Sequence, residues 1–215
     1  MKSGQITSVH RDMKQKQRYH IEINDEYAFT VHEDILVKYN LFKGTEVDEA
    51  FYYEVLVAEE KHKAYLGALR YLGIRPRTSS QLQSYLLEKG FEPKVAEEVC
   101  QRCVEQGYID DKAFAKQWVD ERLRLKLRSP YMLRMELQQR GVDRSIVEDA
   151  VSGVSKEAEL EAARSLIEKK ARRLQGPPNP DEERKLLSML MRKGFSHSII
   201  QQIRGELRQR EDEQG

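Results

Sequence analysis

The chain has 215 residues, a formal net charge of +1, 39% hydrophobic and 34% charged side chains, and two cysteines. That much charge over so little apolar content points to thin helical layers and not to one thick core, and so even a balance argues against a protein held to DNA by charge alone. No apolar run approaches the roughly 18 residues of a membrane span, the opening MKSGQITSVHRD lacks the apolar stretch of a signal peptide, and two cysteines without an export signal lead us to expect a reducing, cytoplasmic setting and no membrane contact.

The charge is unevenly spread. Residues 1–60 carry 7 basic and 12 acidic side chains, a net −5, whereas 61–111, 112–153 and 154–215 stand at +1, +3 and +2. An acidic head and a mildly basic body predict two regions with different roles. In the head, ITSV, YHIEIN and YAFTV read as strands: Ile21 and Ile23 point one way, His20 and Glu22 the other. Asn24-Asp25-Glu26 joins the second and third runs as a hairpin. HEDILVKYNL then reads as a short helix closed near Gly44. A hairpin alone is marginal in water, so this region needs more strands or a covering helix.

From residue 59 every strong signal is helical, and it repeats. LQSYLLEKGFEPKVAEEV (82–99), LRMELQQRGVDRSIVEDA (133–150) and LLSMLMRKGFSHSIIQQI (186–203) align on Gly90, Gly141 and Gly194. Four residues before each glycine stands Leu86, Leu137 or Leu190, and eight before it Leu82, Leu133 or Leu186. After it come Phe91, Val142 or Phe195, then Val95, Ile146 or Ile199, then Val99, Ala150 or Ile203. The leucines share one helical face. The glycine ends the helix in a left-handed conformation, and the next apolar residue folds back on it. Caps mark the starts: the capping-box pattern TSSQ (78–81), Ser129-Pro130 and Asn179-Pro180. A further helix precedes each pair, near 59–72, 111–127 and 156–174. The expected architecture is mainly α: a small β-containing region (1–58), then three-helix repeats at 59–110, 111–154 and 155–215, nine helices in an elongated, curved array.

The stretch GYIDDKAFAKQWVDERLR (107–124) fits this scheme as a repeat start. Gly107 ends one helix, Asp110 or Asp111 caps the next, and Phe114 and Trp118, one turn apart, are expected to be core residues at a repeat junction. Chemistry-bearing motifs are scarce. Cys100 and Cys103 have CxxC spacing, but no second pair completes a zinc tetrahedron, and they lie late in their helix, where thiols are not activated; they read as packing residues. His10, His20, His32, His62 and His197 are scattered, lack HExxH spacing and read as surface or capping residues. There is no GxxxxGK[ST] and no GxSxG. We therefore expect no catalytic residues, no cofactor and no metal.

The basic run is the candidate site. Arg122, Arg124, Lys126 and Arg128 alternate with leucines, and Arg134, Arg140 and Arg144 follow. On one helix 122 aligns with 126 and 124 with 128, giving a strip suited to an acidic protein surface or to phosphates; the plainer reading is a solvated face. Lys169, Lys170, Arg172 and Arg173 form a second strip, which also suits the negative end of its helix.

ALRYLGIRPRTSSQLQSYLLEKGF, GYIDDKAFAKQWVDERLR and LRMELQQRGV, in this order and spacing, resemble the RecX regulatory proteins of bacteria. The resemblance covers about residues 60–208 and leaves the acidic head outside it. One departure is Arg128-Ser129-Pro130, where family members often have Gly-Pro; the cap survives. The resemblance implies an all-helical, non-enzymatic protein of DNA repair, recombination and the SOS response, monomeric, that binds the RecA recombinase filament on single-stranded DNA and usually inhibits it. The alternative is a protein that binds DNA directly, single-stranded DNA included, through helix-turn-helix-like units.

Overall fold

The computed structural model describes residues 3–172 and 178–212. Two compact units are present: Met1–Arg75 with Leu82–Tyr108, and Pro76–Gln81 with Ile109–Gly215.

The first unit opens with strands β1 (Gly4–Arg11), β2 (Arg18–Ile23), β3 (Glu26–His32) and the short β4 (Glu46–Val47), antiparallel in the order β3-β2-β1-β4. Asn24 (φ 51°) and Asp25 (φ 63°) both turn left-handed, the geometry that a two-residue hairpin requires and that Asn and Asp tolerate. Strand alternation then buries Ile21 and Ile23 with Ile6, Phe29 and Val31. That face is covered by α1 (Glu33–Lys38) and by the first turns of α2 (Glu49–Leu72), which contribute Ile35, Leu36 and Val55.

Helix α2 starts ten residues before the position predicted and runs unbroken through residue 58. Asp48 caps it, its carboxylate accepting the Phe51 N–H at 2.8 Å. The first turns, rich in aromatic and β-branched residues, carry no helical preference of their own; packing of Phe51, Tyr52, Leu56 and Ala58 on the sheet core decides the matter.

Helix α4 (Pro93–Glu105) and, from Leu82 on, α3 (Ser79–Glu88) complete this unit; the first turn of α3 belongs to the second. The Tyr71 and Tyr85 rings stack at 4.0 Å, the Tyr65 hydroxyl donates to Gln106 at 2.7 Å, and the Arg102 guanidinium lies over the Tyr65 ring. Cys100 and Cys103 are buried in α4 and form no disulfide, and burial pushes the Cys103 thiol above its ordinary pKa.

The second unit holds α5 (Asp111–Lys126), α6 (Pro130–Gln138) and α7 (Arg144–Ser152), then α8 (Lys156–Ala171), α9 (Pro180–Arg192) and α10 (His197–Asp212). Each trio has its own core, around Leu133, Leu137 and Val147 in one and Leu190, Phe195 and Ile203 in the other. The expected extension of α8 to residue 174 runs past Arg172 and so lies outside the described residues. Among those described there are thus ten helices, the short one in the head and nine in the repeats.

The three turns share one backbone pattern. Phe91, Val142 and Phe195 each donate their N–H to the leucine carbonyl five residues back, at 3.2 Å in all three, while Gly90, Gly141 and Gly194 sit at φ 85°, 70° and 74°. Leu86, Leu137 and Leu190 are each wholly buried. The caps hold as well. Thr78 and Gln81 form a reciprocal capping box, as do Asn179 and Glu182, and Asp110 caps α5 by accepting the Ala113 N–H at 2.9 Å.

Within the second unit one contact occurs twice. Thr78, at the cap of α3, donates its hydroxyl to the Arg140 carbonyl at 2.7 Å; Ser129, at the cap of α6, donates to the Lys193 carbonyl at 2.5 Å. Both hydroxyls are fully buried. Two residues on from each cap, Ser80 and Tyr131 press on the glycine that follows that carbonyl. A Cβ on Gly141 would lie 2.3 Å from the Ser80 Cβ, and one on Gly194 2.8 Å from the Tyr131 Cβ. These glycines are thus required twice, by the turn and by the neighbouring repeat.

Candidate interaction face

The structure takes the basic run of the second repeat apart into two groups. Helix α5 ends at Lys126 because Leu127 turns left-handed (φ 51°, ψ 47°) and inserts its side chain beside the core of the third repeat. Arg128 is therefore off the helix. The expected alignment of Arg124 with Arg128 does not form; Arg128 turns instead toward Arg122.

The meeting point is Glu136 on α6, a residue the sequence reading did not single out. Its carboxylate lies 2.7 Å from Arg128 Nε and 3.9 Å from Arg122 Nε, and accepts the Trp118 indole N–H at 3.0 Å. Arg122 and Arg140 stack on the Trp118 ring, 4.0 and 3.8 Å from its centroid, and Phe114 stacks beside it at 5.8 Å. Arg140 also donates to the Glu136 carbonyl at 2.6 Å. Trp118 is thus half-buried, its ring edge on the second-repeat core and its faces covered by guanidinium groups. It packs on the core of its own repeat without being fully enclosed by it. Cation–π contacts of this kind are strongest where both partners are desolvated.

Arg134 is likewise engaged, with its Nε at 3.0 and 3.2 Å from the two oxygens of Glu148. The remaining candidates are different. Arg124, Lys126, Arg144, Lys169 and Arg172 are exposed and make no ion pair among the described residues. Lys169 and Lys170 occupy the last turn of α8, where they offset its negative end; Arg173 lies outside the described residues. Arg124 borders an open groove of about 880 Å³ between α5 and α8, with Lys116 and Leu127 on its wall and Asp120, Glu121 and Glu161 as opposing charges. Gly107 and Asp110 stand at the turn into α5. Asp111 does not cap; it accepts the Ser79 N–H at 2.9 Å and so holds the start of α3. What the arrangement offers chemically is charge: exposed cations, with carboxylates on the wall of the groove beside Arg124.

These features define a class: a protein of tandem three-helix repeats, each closed by a helix–glycine–helix turn, preceded by a small antiparallel sheet. Family models match it piece by piece, the regulatory protein RecX N-terminal domain at 4–48 and the first, second and third RecX three-helix domains at 64–103, 110–151 and 157–203. The chain belongs to the RecX family of regulatory proteins. It is 34% identical over 212 residues to the regulatory protein RecX of Bacillus cytotoxicus, covering 97% of this chain and 78% of that one. It is 34% identical over 194 residues to that of Limosilactobacillus reuteri, covering 90% and 74%. A crystal structure of regulatory protein RecX superposes with a TM-score of 0.79 at 32% identity over 94% of this chain and 98% of that chain, and one of RecX from Lactobacillus salivarius with 0.65 at 27% over 70% and 97%. The head, which the resemblance from sequence left out, is therefore part of the family pattern. No helix among the described residues is long and apolar enough to cross a membrane.

Proposed function

We propose that the chain binds the RecA recombinase filament on single-stranded DNA and restrains its ATP hydrolysis and strand exchange, without catalysis or cofactor of its own. In this reading it acts as a cytoplasmic monomer in DNA repair, recombination and the SOS response, with 1–58 as a head and 59–110, 111–154 and 155–215 as the working repeats. The observation that supports it is the division of the cations. Arg122, Arg128, Arg134 and Arg140 are engaged by carboxylates or by the Trp118 ring, whereas Arg124, Lys126 and Arg144 stand exposed and unpaired among the described residues, as a face for an acidic partner would. Complementary charge of this kind speeds encounter and fixes register more than it adds affinity. The protein shifts the filament only by its differential affinity for the restrained state.

Direct DNA binding is the second reading, favoured by Arg144, which stands exposed at the first residue of α7, after the turn of a helix–glycine–helix unit. Co-sedimentation with RecA–single-stranded DNA filaments, beside fluorescence anisotropy on the same DNA without RecA, separates the two. Retention on filaments with weak binding to bare DNA is expected. Tight binding to bare DNA with a steep salt slope would replace this reading by the second.

A further inference from the structure

The fold brings together two histidines and an aspartate that sequence spacing keeps apart. His32 ends β3 and caps α1, its Nδ1 accepting the Asp34 N–H at 3.2 Å. His62 comes from the middle of α2, and its ring centroid lies 4.5 Å from that of His32. Asp34 Oδ2 is 3.5 Å from His32 Nδ1 and 3.5 Å from His62 Nε2, and one donor atom from each of the three residues lies within 4.8 Å of the others. Tetrahedral zinc, with bonds of about 2.0–2.1 Å, sets its donors about 3.3 Å apart. The two separations from the Asp34 oxygen lie close to that value, and the two imidazole donors lie within 4.8 Å of one another.

We propose that His32, Asp34 and His62 form a binding site for one divalent transition-metal ion of the zinc class. Two imidazole nitrogens and one carboxylate oxygen select zinc, nickel or cobalt over magnesium or calcium, which prefer all-oxygen shells.

Two further observations favour a metal over a plain hydrogen-bonded cluster. The His62 Nε2 is buried and makes no hydrogen bond to any described protein atom, an unusual state for a buried polar atom. The donors are also held. The buried Glu59, one turn before His62, accepts the His32 backbone N–H at 2.8 Å and is itself paired with Arg18, which fixes where His32 enters α1.

Access is open on one side only. The Asp34 side chain is 65% exposed, while those of His32 and His62 are 8% and 12% exposed. Asp34 and His62 border a groove of about 760 Å³ that leaves room for water or an anion as the fourth ligand. Lys38, Lys61 and Arg102 on its wall favour the anion and Glu54 opposes it; Lys61 is in turn paired with Glu98. A bound ion would exchange the long cap hydrogen bond of His32 for a metal bond and fasten the start of α1 to α2.

The test uses the full tag-free chain, stripped with EDTA and dialysed, titrated with Zn2+ against a chromophoric chelator and with Co2+ followed by its visible d–d bands. One equivalent is expected. Because even outer-shell partners of a metal are worth roughly 10–100-fold in affinity, His62→Gln is expected to weaken binding by more than about 100-fold and Asp34→Asn by at least about 10-fold. Cys100→Ser/Cys103→Ser is expected to bind as the parent does. The melting temperature of the parent, but not of His62→Gln, rises with zinc. Parent and Asp34→Asn binding zinc equally, or zinc lost only on replacing the cysteines, would overturn the site. Asp34 is exposed, so its variant carries the test even if His62→Gln fails to fold by circular dichroism.

Discussion

Alanine at Gly194 and at Gly90 should have very different effects, although the two residues hold equivalent places in their repeats. Gly90 sits at φ 85° with nothing within 4 Å of an added Cβ. Gly90→Ala therefore adds only left-handed strain, about 1–2 kcal/mol. Gly194 sits at φ 74°, and its Cβ would meet Tyr131 at 2.5 Å from Cδ1 and 2.8 Å from Cβ. Overpacking of this severity adds about 1–3 kcal/mol. Any backbone shift that relieves it also pulls Lys193 from the Ser129 hydroxyl, now 2.5 Å from its carbonyl. Gly194→Ala is thus expected to lose about 2–5 kcal/mol, a large share of the stability of a small unit. Urea titration followed by far-ultraviolet circular dichroism measures both variants, and the fluorescence of Trp118, the only tryptophan, follows the second unit on its own. Adding Tyr131→Ala to Gly194→Ala removes the ring but leaves its Cβ, so partial recovery is expected. Equal losses at Gly90 and Gly194, with no recovery, would refute the claim that the turn glycine is also the docking point of the neighbouring repeat.

Further outcomes follow from other contacts. Ser129→Ala removes both the cap of α6 and the hydrogen bond from the buried Ser129 hydroxyl to the Lys193 carbonyl and should lose about 2–4 kcal/mol in the same titration. Trp118→Ala should lose about 2–3 kcal/mol, below the figure for a sealed core tryptophan because the ring is half-exposed, and Glu136→Gln should lose part of that by releasing Arg122 and Arg128. Cys103, buried and with its thiol pKa raised, should react with iodoacetamide at neutral pH far more slowly in the native chain than in urea; equal rates would contradict the packing role.

The repeats were legible in the sequence because their determinants are local. Leucines at fixed offsets, a glycine and a cap report the same turn wherever it occurs, and Leu86, Leu137 and Leu190 are accordingly buried to the same degree. The hairpin was legible for the same reason, through Asn24 and Asp25. The start of α2 was not, since EAFYYEVLVA fits a strand as well as a helix until the sheet core is there to pack against. The basic run misled for a related reason. Helical spacing placed Arg124 above Arg128, but Leu127 adopts a left-handed conformation, which no short-range signal announces for a leucine, and the helix stops before Arg128. Glu136 and the His32–Asp34–His62 group were hidden because their partners are distant in the chain and meet only through tertiary packing.

The central claim rests on the exposed cations. It is tested most directly by RecA ATP hydrolysis on single-stranded DNA, with parent protein and with Arg124→Glu/Lys126→Glu/Arg144→Glu added at equal concentration. Exposed charges contribute little to folding, within about 0.5 kcal/mol each, so the variant should melt like the parent, as an Arg128→Glu variant facing Glu136 would not. The parent should suppress hydrolysis, the triple variant should lose most of that effect, and added salt should weaken the parent in the same direction. Undiminished suppression by the variant at low and high salt would contradict the assignment of this face, and a parent with no effect on hydrolysis at any concentration would contradict the proposed function itself.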